Sequence, residues 1–137
     1  MPSVTLDTNI YVSALEFGGV GARLLGMARA GTIRIDVSGP ILDELVTVLR
    51  DDFEWEGYRL HFARGQLAQL GNLVTPKKSI DVMKEDPDDN RILECALEAG
   101  SEFIITSDKD LLKLGEYGVI RIVTASQFLE HYRSPAK

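Results

Sequence analysis

Short apolar segments that alternate with runs of helical spacing constrain this chain more than any other feature. Val4 and Leu6 alternate as in a strand, Ile33, Ile35 and Val37 do the same, Phe103 to Thr106 reads as a buried strand, and 119–123 as a last one. The sequence between them is periodic at helical spacing. Ile10, Val12, Ala14 and Leu15 lie in a helix over 9–17 that Gly18-Gly19 breaks. Leu24, Leu25, Met27 and Ala28 lie in one over 20–30, with Gly31 at its C-terminal cap. Ser38-Gly39-Pro40 opens a third, carrying Ile41, Leu42, Leu45, Val46, Val48 and Leu49. Further helices are expected over 55–71, from 86 to Gly100, over 108–114 and over 125–132, with a short extended piece at 72–76 and a polar connection at 77–85. Strands that alternate with helices pair in parallel through right-handed crossovers. The expected fold is therefore α/β: a three-layer α/β/α sandwich around a central, mostly parallel sheet.

At 137 residues and 45% apolar content the chain fits one domain with a real core, expected over 1–133 with a polar tail at 134–137. Neither a membrane-length apolar run nor a basic-then-apolar leader is present, so a soluble protein of the cytoplasm is expected. A single cysteine, Cys95, allows no internal disulfide and cannot alone build a zinc site. Any metal must then sit on oxygen. Acidic residues outnumber basic ones 21 to 15, which argues against a broad basic surface for nucleic acid but leaves room for a phosphate substrate bridged by metal.

In an open parallel sheet the ligand crevice lies beyond the carboxyl ends of the strands. Acidic residues collect at that edge: Asp7 follows the first strand, Glu44 lies in the helix entered from the second, Asp89 begins a helix feeding another strand, and Asp108 follows that strand. Each also has an ordinary explanation. Asp7 or Thr8 could cap the first helix, Asp86 could cap the helix at Pro87 with Asp89 reaching back to it, and Ser107 or Asp108 could cap the next. Helical geometry separates some of these. At roughly 100° per residue, Asp89 falls in the sector of Ile92, Leu93 and Ala96, where an uncompensated carboxylate is costly. Glu44 lies at the margin of its helix's apolar arc and Asp43 nearer the solvent pole; Asp108 is nearer the strand end than Asp110. Four carboxylates with no Lys or Arg inside their motifs repel one another unless cations bind. Oxygen-only ligands suit Mg²⁺ or Mn²⁺, ions that serve phosphoryl chemistry, so the set reads as a phosphodiesterase centre.

In order and spacing, Asp7-Thr8-Asn9, Ser38 with Glu44-Leu45, Asp89 with Ile92 and Ala96, and Thr106-Ser107-Asp108 together resemble the PIN-domain ribonucleases. The resemblance covers nearly the whole chain and is narrowest to the VapC-like toxins of toxin-antitoxin systems. It implies a metal-dependent endoribonuclease in which Asp7, Glu44, Asp89 and Asp108 hold Mg²⁺ or Mn²⁺. It further implies that Asn9 orients the site near Asp7, that Thr106 or Ser107 supports it, and that Asp86, Asp88 and Asp110 are auxiliary acids. The implied reaction is attack of water on an RNA phosphodiester, leaving a 5′-phosphate and a 3′-hydroxyl. A homodimer and a cognate antitoxin protein are implied as well. The Asp86-Pro87-Asp88-Asp89-Asn90 turn leaves open whether Asp88 or Asp89 is the ligand.

Other residues carry weaker signals. Arg91 is a candidate phosphate contact or a solvated charge; Lys77-Lys78, Arg23, Arg29 and Arg34 form no stripe. Trp55, Tyr58 and Phe62 are spaced to pack a helix or an interface, and could also stack on bases. His61 and His131 stand apart from the acids, and Cys95 reads as a small apolar residue beside Ile92 and Ala99. Two other functions compete with the nuclease. One is a catalytically silent PIN-like scaffold for RNA or protein. The other is a haloacid-dehalogenase-type phosphomonoesterase, whose motif needs an aspartate where this chain has Asn9.

Overall fold

All four residues of β1 (Ser3–Leu6) are buried, as a strand covered on both faces by helices requires. The computed structural model describes residues 1–131; Tyr132 and the expected tail at 134–137 lie outside them. After β1 the chain runs through α1 (Thr8–Phe17), α2 (Gly19–Arg29), β2 (Arg34–Ser38), α3 (Gly39–Phe53), α4 (Gly57–Leu70), β3 (Asn72–Val74) and α5 (Asp89–Ala99). It ends with β4 (Phe103–Ile105), α6 (Lys109–Leu114), β5 (Glu116–Tyr117), β6 (Ile120–Val123) and α7 (Ala125–His131). The strands form one sheet in the order β3-β2-β1-β4-β6-β5, parallel except for the β5–β6 hairpin. Helices flank the sheet, giving the expected α/β/α sandwich.

This strand order fixes the site. From β1 the chain builds outward to β2 and β3, then returns to add β4 on the other side of β1, so a topological switch point lies between β1 and β4. Leu6 pairs with Ile105 across that boundary, and the Asp7 N–H continues the ladder to the Ile105 carbonyl at 3.0 Å. Asp7 and Thr106 therefore leave the sheet side by side.

Several boundaries differ from the sequence expectation for identifiable reasons. Glu54 adopts a left-handed conformation (φ 57°) that ends α3, so Trp55 sits in the turn and α4 starts at Gly57. The helix expected from 86 begins at Asp89, because 86–88 form a turn. Residues 116–117 form β5, which the sequence reading left out, and Val119 lies almost fully exposed in its turn rather than in the last strand. Ser38 does cap α3, accepting the Ile41 N–H at 3.4 Å ahead of Pro40.

Glycine matters most at Gly21, where α2 meets α1: a Cβ there would lie 2.8 Å from the Ile10 carbonyl oxygen and 2.9 Å from the Ala14 Cβ. A second feature is polar. Ile33, Ile35 and Val37 suggest that Arg34 and Asp36 face water, yet Asp36 is fully buried. It is held by the Arg34 guanidinium (2.7 and 3.2 Å), the Asn72 amide (3.0 Å) and the Ser101 hydroxyl (2.6 Å), while Ser101 also bonds Thr5 at 2.7 Å. A carboxylate so supplied tolerates burial and ties β2 to its neighbours.

Candidate active site

Asp7 stands at the N-cap position of α1, but its side chain makes no capping hydrogen bond there. Its Oδ2 instead accepts the Thr106 hydroxyl at 2.6 Å, and Thr106 Oγ1 in turn accepts the Asp108 N–H at 2.9 Å. One threonine thus links the acid after β1 to the acid after β4. Burial pushes the Asp7 carboxyl above its usual range; the Thr106 bond and the backbone of Asn9 and Thr8 oppose the rise, and the Asp108 charge adds to it. The Asn9 side chain is exposed, so the Asn9 atom that bears on Asp7 is its backbone N–H.

Thr8 does not cap α1 as the sequence suggested. It is the first residue inside the helix, 2% exposed, and its hydroxyl donates to Glu44 Oε1 at 3.0 Å. That bond carries Glu44 from α3 toward the end of β1. Asp43, one residue earlier, points away and pairs with Arg64 at 2.7 Å on the surface. Burial raises the Glu44 carboxyl above its usual range, the Thr8 bond counters it, and the charges of Asp88, Asp7 and Asp86 raise it further.

Asp89 opens α5 with its side chain buried, in the same sector as the buried Ile92, Leu93 and Ala96. Its Oδ2 has no hydrogen-bond partner among the described residues. Burial first, then the charges of Asp108, Asp86 and Asp7 and a contact with the Asp108 carboxyl, push it up to about 8. The capping box expected between Asp86 and Asp89 does not form: Asp86 Oδ1 accepts the Asp88 N–H at 3.2 Å, and the Asp89 N–H bonds the Asp86 carbonyl at 3.0 Å. Between Asp88 and Asp89, the buried acid is Asp89, and Asp88 is exposed. Asp108 caps α6, its Oδ2 accepting the Leu111 N–H at 3.0 Å, and still lies close enough to raise both Asp7 and Asp89. Capping and membership of the acidic cluster are compatible at this residue.

The structure therefore brings Asp7, Glu44, Asp89 and Asp108 to one edge, with Thr106 between two of them. Ser107 is exposed there, Asp86 is exposed on the turn, and Asp110 lies half-buried in the first turn of α6, where a negative charge suits the helix end. The Arg91 side chain, considered for a phosphate contact, is held within the chain. Its guanidinium is engaged by both Glu94 oxygens at 2.8 Å and reaches the Ile80 carbonyl at 3.4 Å.

That pair is part of a strap. Glu98 accepts the Lys77 N–H, Glu94 the Ile80 N–H, and Asn90 Oδ1 the N–H groups of Val82 and Met83, all between 2.8 and 3.1 Å. Residues 90, 94 and 98 lie on one face of α5 by helical spacing, so the helix clamps the connection ahead of Asp89 along its length. Asn90 also donates to the Met83 and Pro87 carbonyls at 3.0 Å each, closing the turn that delivers Asp89.

Trp55 is buried, donates its indole N–H to Glu16 and lies under the Arg59 guanidinium; Tyr58 and Phe62 are exposed rather than packed in the core. Cys95 is fully buried, with Thr5 Oγ1 at 3.8 Å, and its burial pushes the thiol up to about 12. It is inert packing.

An all-carboxylate donor set suits a hard divalent cation, and the buried, partnerless Asp89 oxygen is a donor with nothing else to bind. Among the described residues no group of three or more His, Cys, Asp or Glu side chains is placed to hold a metal ion as the side chains stand. No helix among the described residues is long and apolar enough to cross a membrane. A family model described as PIN domain matches residues 3–110, and no curated protein matches the chain.

Proposed function

The chain belongs to the PIN domain family, a nuclease-type fold, and from that premise we propose that it is an endoribonuclease dependent on Mg²⁺ or Mn²⁺, the toxin of a toxin-antitoxin pair. The observation that carries the reading is Asp89: a buried acid with an orphaned oxygen, forced toward protonation by its burial first and then by three neighbouring acids. A structural carboxylate would be paired, as Asp36 is. The arrangement is the one expected of a site that is electrostatically incomplete without a cation.

Asp7, Asp89 and Asp108 would hold the cation together with Glu44, which the Thr8 bond brings to the same edge from α3. When bound, such an ion polarises a phosphoryl oxygen and lowers the pKa of water beside it. The chain's own part is to fix donors. Thr106 holds Asp7 toward the edge through its 2.6 Å bond and the Asp108 backbone through its 2.9 Å bond, and the turn closed by Asn90 holds Asp89. RNA as substrate, the homodimer and the antitoxin rest on the likeness of the motifs in their order along the chain.

The test is cleavage of structured and unstructured RNA, and of single-stranded DNA, with Mg²⁺, Mn²⁺ or chelator. The expected result is RNA fragments with 5′-phosphate ends formed only with the cation. RNA left intact under every cation, or cleaved equally in chelator, would overturn the reading. Binding of RNA without cleavage would favour a silent scaffold instead.

A further inference from the structure

Glu44 differs from the other three acids in how it reaches the edge. Asp7 and Asp108 follow strands directly, and Asp89 is fixed by a clamped turn, whereas Glu44 projects from the second turn of α3 on a long, partly exposed side chain. Left untethered, such a side chain spreads over several rotamers, and ordering it costs conformational entropy. Thr8 supplies the tether. It is buried and adjacent to Asp7, and its Oγ1 lies 3.0 Å from Glu44 Oε1. A hydroxyl at the start of a helix more often bonds local backbone, so a bond to a residue 36 positions away on another helix uses its one proton for the tertiary contact.

We propose that Thr8 is a positioning residue: its hydroxyl holds the Glu44 carboxylate against the end of β1, so that the acid from α3 is presented at the same place as Asp7. The inference rests on the cation-site reading above and adds the residue that makes Glu44 part of it. A hydroxyl acting through a ligand in this way accounts for about 10- to 100-fold in metal affinity where such contacts are known.

The experiment is a calorimetric Mn²⁺ titration of the full chain, with RNA absent, for wild type, Thr8→Val, Thr8→Ser, Glu44→Gln and the Thr8→Val/Glu44→Gln double variant. Valine keeps the shape and removes the hydroxyl; serine keeps the hydroxyl and removes the methyl. Thr8→Val should weaken Mn²⁺ about tenfold, Thr8→Ser should stay within about twofold of wild type, and Thr8→Val should add nothing once Glu44 is glutamine. Thr8→Ala supplies the hydroxyl-free comparison if the second methyl of valine prevents folding. Wild-type affinity in Thr8→Val, equal loss in Thr8→Ser, or an undiminished effect in the Glu44→Gln background would overturn the positioning role. Failure of wild type to bind Mn²⁺ at all would remove the cation site itself, and the inference with it.

Discussion

Asp89 joins chemistry and stability in one side chain. Its ordinary value of 3.8 rises to about 8 in the folded, metal-free chain, so between those values the folded state keeps a proton that the unfolded state has released. Stability from this group is therefore lost as pH rises from about 4 toward 8, and the raised Asp7 and Glu44 act with the same sign. In chelator the thermal midpoint of wild type should fall from pH 5 to pH 8, and Asp89→Asn should flatten that fall. An equal fall in the variant would place the proton elsewhere. The four acids were legible in the sequence because Asp7 and Asp108 follow strand ends, Asp89 begins a helix on an apolar sector, and Glu44 lies at the margin of the apolar arc of α3. The Thr8–Glu44 bond was not, since it joins two helices whose approach only the fold defines. Asp36 was missed for a related reason: alternation along β2 predicts a solvent-facing acid, but a parallel strand between β1 and β3 is covered on both faces.

The elements carry two further expectations. Gly21→Ala would set a methyl against the α1 backbone at 2.8 Å, so α1 and α2 must separate; unfolding in urea should show a loss on the order of 1–3 kcal/mol. An unchanged midpoint would mean that the helix pair yields freely. Asn90→Ala leaves the Val82 and Met83 N–H groups without their acceptor and frees the turn before Asp89. It should cost on the order of 2–4 kcal/mol and open 77–88 to proteolysis ahead of the rest of the chain. Cleavage elsewhere first would deny the strap its role. Periodicity revealed most helices and four strands, but not the start of α5, which is set by this clamp rather than by Pro87. It also overlooked β5, whose two residues are too few to show an alternation.

For the whole molecule, the strand order brings four separated acids to one edge: it places the switch point between β1 and β4, and α3 and α5 carry Glu44 and Asp89 to the same edge. On the proposed reading, the repulsion among these acids is relieved by a bound cation. Mn²⁺ should therefore stabilise the fold at pH 8 by about 2.7 kcal/mol at a hundredfold excess over Kd, seen as a higher thermal midpoint, and the rise should vanish in Asp7→Asn. An equal rise in that variant would locate the ion elsewhere. The most direct test of the account is single-turnover RNA cleavage by Asp89→Asn in saturating Mn²⁺, measured beside its metal-free unfolding at pH 8. The account predicts cleavage reduced by at least about a hundredfold in a protein no less stable than wild type. Cleavage within about tenfold of wild type would contradict it.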